Sequence, residues 1–600
     1  MSTPPSGEAG VLVARALPDV AGFDKEFDYS VPASLARDLR AGSVVSVPLH
    51  GRKVRAWVTA FPAEPATGAA LLAIERAVGW GPEPELVGLA PWAAWRWAGK
   101  RRSFLVTASP LKVIRELPER PGTPPIVRAP SAPTSSTGPD LLRRAWRPGT
   151  HILRLPPASS ATELVQAAAE RGAVLVLAAT KQRAEAGAAA LRRRGARVAL
   201  LPDEWPQARS GAEVVIGTRR AAWGPCPDLA SVVVLDAHDE GYVQEQSPSW
   251  DAAVVVAERA RRAGAPCFWV SACPTLEMQA AAEVVRLGPS AEREGWAPLL
   301  VADRRGEDPR LGLYSQLLVQ VAREEERRLV CVLNRKGRAV LLDCAACGEL
   351  ATCESCGAAV AMAERELVCR RCGSRRPVVC SSCASDALRL VRPGVSHARD
   401  ELEALLGRPT AEVVGGAGPV PDAAVVVGTE SVLYREAELR QGGPVGTVAF
   451  LDFDQEMFAP RYRAGEEALA LLARASRIVG GRPKQGRVLV QTRAPGHAVI
   501  AAAQRADPEV LSVSEAPLRK ALRLPPCSAL ALLTGPGAPA MASSLETFAA
   551  AHATGTLEVT QSDRERWVVK AQDQASLSDA LAAAPRPQER VRIEVGPVRF

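Results

Sequence analysis

The sequence predicts a multidomain α/β protein, and three observations point there. Two long stretches alternate continuous Val- and Leu-rich strands with helices, the pattern of parallel sheets covered on both faces. Four C-x-x-C pairs interrupt the second stretch, and a β-rich start and a mixed α+β end flank the two lobes. At 600 residues and 47% hydrophobic composition the chain is long enough for about three to five domains with cores of their own.

Residues 1–80 read as a β-rich domain, with short alternating runs at 11–15, 25–31, 43–47 and 54–59 separated by Gly and Pro. Within it Phe27-Asp28-Tyr29 sets a carboxylate between two aromatics; a strand that buries Phe27 and Tyr29 on one face explains the pattern equally well. Residues 81–117 suggest a small helical or winged-helix-like unit carrying Lys100-Arg101-Arg102, and 118–140 a Pro/Ser-rich linker. The first α/β lobe follows at 141–290. Its strands are expected at 173–178, 197–201, 214–218, 231–236 and 267–270, with helices at 181–194 and 252–262. Functional residues collect at the carboxyl ends of such strands, which places Thr218, Asp236 and Ser271 along one edge. The second lobe, 291–500, has expected strands at 329–333, 387–391, 411–414, 424–427, 445–452 and 487–491 and helices at 398–406 and 464–478. Residues 501–600 close the chain as an α+β domain.

The cysteines carry the strongest chemical signal. Cys344-Cys347, Cys353-Cys356, Cys369-Cys372 and Cys380-Cys383 share one two-residue gap, which turns both sulfurs of a pair toward one point. Two pairs build a tetrahedral thiolate cage, so eight cysteines imply two metal ions, zinc or iron, in closed structural sites. Spacing leaves open whether the pairs combine as nested sites or as consecutive beads. Arg370, Arg371, Arg375 and Arg376 either neutralise the thiolate charge or reach phosphate. Cys226, Cys267, Cys273, Cys331 and Cys527 stand alone and read as small core residues. No secretion signal and no apolar run of about 20 residues occurs, which implies a cytoplasmic address with no membrane partner. A net charge of +8 favours a polyanion such as nucleic acid as partner, weakly.

Gly217-Thr218-Arg219, Leu235-Asp236-Ala237-His238-Asp239, Ser271-Ala272-Cys273-Pro274, Gly428-Thr429 and Leu451-Asp452-Phe453-Asp454 resemble the edge motifs of a helicase core with paired RecA-like lobes. Leu333-Asn334-Arg335-Lys336-Gly337 ahead of the cysteines, Phe27-Asp28-Tyr29 and the run 485–492 make the whole chain similar to the primosomal protein N′ (PriA) family. That resemblance implies a replication restart protein. It implies binding to abandoned forks, D-loops and single-stranded DNA, contact with primosome proteins, single-strand-binding protein and the replicative helicase or its loader, and a 3′-end pocket at Phe27, Asp28 and Tyr29. It makes Lys100, Arg101 and Arg102 candidate DNA-backbone contacts. It also implies nested metal sites, Cys344, Cys347, Cys380 and Cys383 for one zinc and Cys353, Cys356, Cys369 and Cys372 for the other.

The motor parts depart from that family. Where a phosphate cradle needs glycines, a lysine and a Ser/Thr hydroxyl, the chain has Leu155-Pro156-Pro157-Ala158-Ser159-Ser160-Ala161-Thr162, and prolines lack the N–H groups a cradle uses. The family's Asp-Glu-Glu-His becomes Leu235-Asp236-Ala237-His238, and the last motif's arginine positions hold Ile478 and Gly481, with Arg477 and Arg482 one residue away. An arginine finger alone contributes about 10³–10⁵ in rate, roughly 4–7 kcal/mol. The expectation is a protein that recognises forks and scaffolds primosome assembly with no catalytic residues and doubtful ATP binding. The alternatives are an active, divergent 3′-to-5′ ATP-dependent helicase and a zinc-ribbon adaptor acting on another protein.

Overall fold

A computed structural model describes residues 12–66, 70–120, 137–305, 307, 313–333, 342–363, 366–369, 371–390, 398–413, 418–551, 557–563, 565–598 and 600. The Asn334–Gly337 part of the run preceding the first knuckle, Arg370 and most of the expected linker lie outside them. Among the described residues no helix is long and apolar enough to cross a membrane.

The amino-terminal sheet has five strands in the order Phe27–Ser30, Val13–Pro18, Arg52–Ala60, Val44–Leu49, Arg76–Gly79. The alternating runs predict the first four. Residues 81–117 contribute two helices, Pro84–Arg96 and Arg101–Ala108, and no strand. Pro84 opens the first helix, where its missing N–H costs nothing.

Lobe 1 is a seven-stranded, all-parallel sheet ordered Glu283–Arg286, Gly149–Arg154, Pro266–Ser271, Leu229–Leu235, Ala173–Leu177, Val214–Gly217, Val198–Leu200. Lobe 2 is a six-stranded parallel sheet ordered Leu299–Asp303, Arg487–Thr492, Val445–Phe450, Arg328–Val332, Val425–Gly428, Thr410–Val413. Central strands such as Val232–Leu235 are buried on both faces, which is why they read as unbroken apolar runs. The strand expected at 387–391 is not in this sheet. Leu388–Leu390 pairs antiparallel with Leu342–Cys344 and closes the base of the cysteine module.

Helices Ala498–Arg505 and Glu509–Ala521 follow lobe 2 and pack into it, with Val499, Ile500, Ala503 and Leu511 in its core. The final unit is a four-stranded antiparallel sheet, Glu558–Asp563, Arg566–Ala571, Ala529–Thr534, Arg592–Val595, backed by two helices. One hydrophobic core joins the amino-terminal helices, lobe 1 and this last unit. Trp95 Nε1 donates to Asp579 at 2.8 Å, and Ser578 Oγ donates to the Arg96 carbonyl at 3.3 Å. Of the five isolated cysteines, four are buried; Cys527 is exposed, because it follows the Pro525-Pro526 turn ahead of the closing sheet.

Trp223 stands at the centre of the shared core, fully buried, its ring 5.2 Å from Phe104 and 6.2 Å from Trp250. Trp223→Ala is expected to cost about 3–5 kcal/mol. Urea unfolding followed by tryptophan fluorescence should show a lower midpoint, and an unchanged midpoint would contradict a single continuous core.

Candidate functional site

The cysteine module folds as four copies of one turn. In each, the N–H of the first cysteine donates to a carbonyl five residues on at 2.8 Å: Cys344 to Glu349, Cys353 to Ala358, Cys369 to Ser374, Cys380 to Ser385. A return bond runs from residue i+4 to the same cysteine's carbonyl, at 2.8–2.9 Å. That residue adopts positive φ, as Gly348, Gly357 and Gly373 do freely; in the fourth turn Ala384 takes the strain at φ 58°. The turns assemble as nested pairs. Cys344 Sγ lies 3.5 Å from Cys383 and Cys347 Sγ 3.6 Å from Cys380, while Cys353 meets Cys372 and Cys356 meets Cys369 at 3.5 Å.

Within each cluster the four sulfurs lie within 4.8 Å of one another, a fit to one tetrahedral ion, since metal–sulfur bonds of about 2.3 Å place sulfurs about 3.8 Å apart. Backbone N–H groups, first that of Cys347, draw the Cys344 thiol down to about 6, and the Cys356 thiol draws Cys369 down to about 5.

Arg371, its side chain only 6% exposed, donates to the Cys356 and Tyr462 carbonyls and to Glu515 at 3.2–3.4 Å. It binds the inner site to lobe 2 instead of facing solvent. Arg375 pairs with Glu366 at 3.2 Å, and Arg376 donates to the Thr352 carbonyl at 3.3 Å. Asp343 at the module's base takes both arms of Arg389 at 2.7 and 3.0 Å.

Tyr29 lies in the core of the amino-terminal sheet, its hydroxyl donating to the Pro48 carbonyl at 3.3 Å, and Phe27 packs half-buried against the same core beside Phe23 and beneath Lys25. Asp28 faces the other side. The strand register sets it directly opposite Arg15, which donates Nε–H and Nη2–H to its two oxygens at 2.8 and 3.2 Å, and the Ala66 N–H adds a third bond at 2.7 Å. The Arg15 hydrogen bond is the main reason the Asp28 carboxyl is held below its usual range.

Lys100 Nζ donates to the Gly22 carbonyl at 2.7 Å, Arg101 pairs with Asp24 and Glu26 at 3.4 and 2.9 Å, and Arg102 pairs with Asp19 at 2.7 Å. All three cations fold back onto the 19–26 segment and clamp the helices to the sheet.

The edge motifs meet where the lobes face each other. Asp236, at the carboxyl end of strand Leu229–Leu235, is buried and adopts φ 52°, a left-handed conformation that costs a non-glycine residue about 1 kcal/mol or more. Arg183 of lobe 1 and Arg477 of lobe 2 both bind its carboxylate, Arg477 Nη1 at 3.0 Å. Burial would raise that carboxyl's pKa; the two guanidinium groups outweigh it and hold it well below the usual range. One turn earlier on helix Ala464–Val479, Arg474 binds Asp239 and stacks 3.8 Å over Tyr434. His238 Nδ1 lies 2.8 Å from Ser271 Oγ, and burial pushes its pKa down to about 4.

The 155–162 loop lacks the glycines and the lysine of a phosphate cradle. Pro156 and Pro157 have no N–H, the Ala158 N–H donates to the Gly295 carbonyl at 3.1 Å, and the Pro157 carbonyl accepts from Arg477 Nε at 3.0 Å. Gly295 lies so close that a Cβ there would fall 2.2 Å from Pro156, and one at Gly481 would fall 2.7 Å from the Glu294 carbonyl. Ile478 points into the lobe 2 core. Beside this site a cavity of about 730 Å³ opens between the lobes, its lining mixed in charge, with Lys181, Arg219 and Arg435 set against Asp239, Glu240 and Glu438. Arg219 donates to the Gly241 and Val243 carbonyls at 3.2 and 2.9 Å.

Sequence reasoning missed Arg15, Arg183 and the acids at 19–26. Arg15 was open to discovery: pairing the first two strands as a hairpin sets it against Asp28. Arg183 gave no local signal.

A family model described as the 3′DNA-binding domain (3′BD) of PriA matches residues 11–110, spanning both the five-stranded sheet and the two helices. The chain is 28% identical over 360 residues to the replication restart protein PriA of Bacillus subtilis, covering 55% of this chain and 44% of that protein. It is 29% identical over 582 residues to the probable replication restart protein PriA of Mycobacterium tuberculosis, covering 86% of this chain and 85% of that one. The chain thus matches less than half the length of the first relative. Among solved structures, S. cerevisiae Dbp5 bound to RNA and ADP BeF3 superposes with TM-score 0.35 and 12% identity over 64% of this chain and 91% of that chain, a likeness that bears no further weight.

Replacing Cys372 by Ser removes one thiolate from the inner cage. Because structural metal sites couple binding to folding, metal content is expected to fall from two ions per chain to one and the module to unfold. Elemental analysis with thermal melting checks this; two ions with unchanged melting would refute the coupling.

Proposed function

We propose, from the chain's similarity to the PriA family of replication restart proteins, that it binds stalled forks and D-loops carrying a nascent 3′ end and scaffolds primosome assembly without turning over ATP. The observation that carries this reading is the 3′-DNA-binding match over residues 11–110. Asp28, oriented by Arg15 and the Ala66 N–H, keeps acceptor capacity for a sugar 3′-hydroxyl, and the half-buried Phe27 ring offers a base a stacking face.

The two four-cysteine clusters hold zinc in this reading, because closed all-thiolate tetrahedra are its usual structural site. Primosome proteins, single-strand-binding protein and the replicative helicase or its loader are the proposed partners, in the cytoplasm. Loss of hydrolysis is supported by the 155–162 loop, which has no lysine and no glycine, and in which two prolines and the bonded Ala158 N–H withhold donors that a phosphate cradle uses.

Forks with and without a free nascent 3′-hydroxyl test the proposal. The wild-type protein should prefer the 3′-hydroxyl fork, and Asp28→Asn should reduce that preference about tenfold, the worth of one hydrogen bond of about 1.4 kcal/mol to a charged acceptor. The same zinc-loaded preparation should show no DNA-stimulated ATP turnover. Equal affinity for both forks, unmoved by the substitution, would sink the 3′-end role, and measurable turnover would sink the other half.

A further inference from the structure

We infer that Arg477 and Arg474 stand in for a nucleotide as the bridge between the lobes, so that the cleft is latched shut by the protein's own side chains. The inference rests on the reading that the chain does not turn over ATP, and it adds what took the nucleotide's place. A bound nucleotide would join lobes by placing negative charge between the first lobe's cradle and arginines of the second. Here the negative charge is built in. Asp236 and Asp239 of lobe 1 face Arg477 and Arg474 of lobe 2, and Arg183 of lobe 1 completes the grip on Asp236.

The latch also reaches the cradle remnant. Arg477 Nε donates to the Pro157 carbonyl at 3.0 Å, so that loop presents an acceptor to a cation where a phosphate needs donors. Helix geometry makes the arrangement rigid: Arg474 and Arg477 lie three residues apart on helix Ala464–Val479, which is buried for most of its length and capped by Gly480 at φ 90°. Glu436 of lobe 2, ion-paired with Arg440 at 3.0 Å, also lies near Arg183 and Arg477.

A second set of contacts flanks the cleft. Glu277 of lobe 1 pairs with Arg463 and Arg519 at 3.0 and 3.3 Å, the Leu276 N–H donates to Glu466 at 2.7 Å, and Gln279 donates to Ser512 at 2.8 Å. Releasing the latch should therefore open the cleft about this edge and leave the chain folded.

Pulsed-EPR distances between non-canonical residues carrying spin labels at Arg193 of lobe 1 and Ala404 of lobe 2 test this in the full chain. The wild-type protein should give one narrow distribution, the same with or without magnesium and a non-hydrolysable ATP analogue. Asp236→Lys, which sets a cation between Arg183 and Arg477, should give a longer, broader distribution. If that variant does not fold, Arg477→Gln serves, with a smaller lengthening. A wild-type distance that moves with nucleotide would overturn the latch, as would a folded variant that keeps the wild-type distance. Because turnover is assayed separately, a moving distance with zero turnover removes the latch alone and leaves the proposed function standing.

Discussion

A carboxylate buried between two guanidinium groups from opposite lobes is the constraint on which this architecture turns. Isolated, Asp236 would be driven to protonate by burial; held by Arg183 and Arg477 it stays charged and ties the lobes together. Such pairs add little net stability over apolar packing, but removing one partner costs about 3–5 kcal/mol because the other is left charged in a dry site. Their value lies in fixing one arrangement. The strained φ of Asp236 belongs to the same constraint, since it turns the side chain off the strand end into the cleft.

The rest of the molecule is built to hold that arrangement still. One core runs from the amino-terminal helices through lobe 1 to the last sheet, and the cations of 100–102 add a polar clamp between the first helices and the 19–26 segment. On the other side, Arg371 and the Ala359 N–H, which donates to the Phe458 carbonyl at 3.0 Å, attach the cysteine module to lobe 2. Helices Ala498–Arg505 and Glu509–Ala521 complete lobe 2 and carry Arg519, fully buried, to Glu277 of lobe 1.

Much of this was legible in the sequence where information is local. The cysteine gaps encode four turns, and the apolar runs of lobe 1 locate its central strands to within a residue or two. The edge strands Glu283–Arg286 and Leu299–Asp303, both half exposed, escaped, as did the interior strand Gly149–Arg154, whose apolar run is only Ile152-Leu153. Leu388–Leu390 carries a strand pattern that cannot say which sheet it joins, and it joins the cysteine module. Lys100, Arg101 and Arg102 read as free cations because their partners lie more than seventy residues earlier in the chain. The nested pairing of cysteines, preferred on family resemblance, is the pairing the fold adopts. What Arg477 and Arg183 do depends on two lobes meeting, which no window of sequence contains.

The most direct measurement is calorimetric titration of magnesium–ATP into the zinc-loaded, wild-type protein. A cleft filled by Arg477, Arg474, Asp236 and Asp239 predicts no saturable heat at millimolar nucleotide. One site per chain with micromolar affinity would contradict the account, since a nucleotide could enter only by displacing the side chains that hold the lobes together.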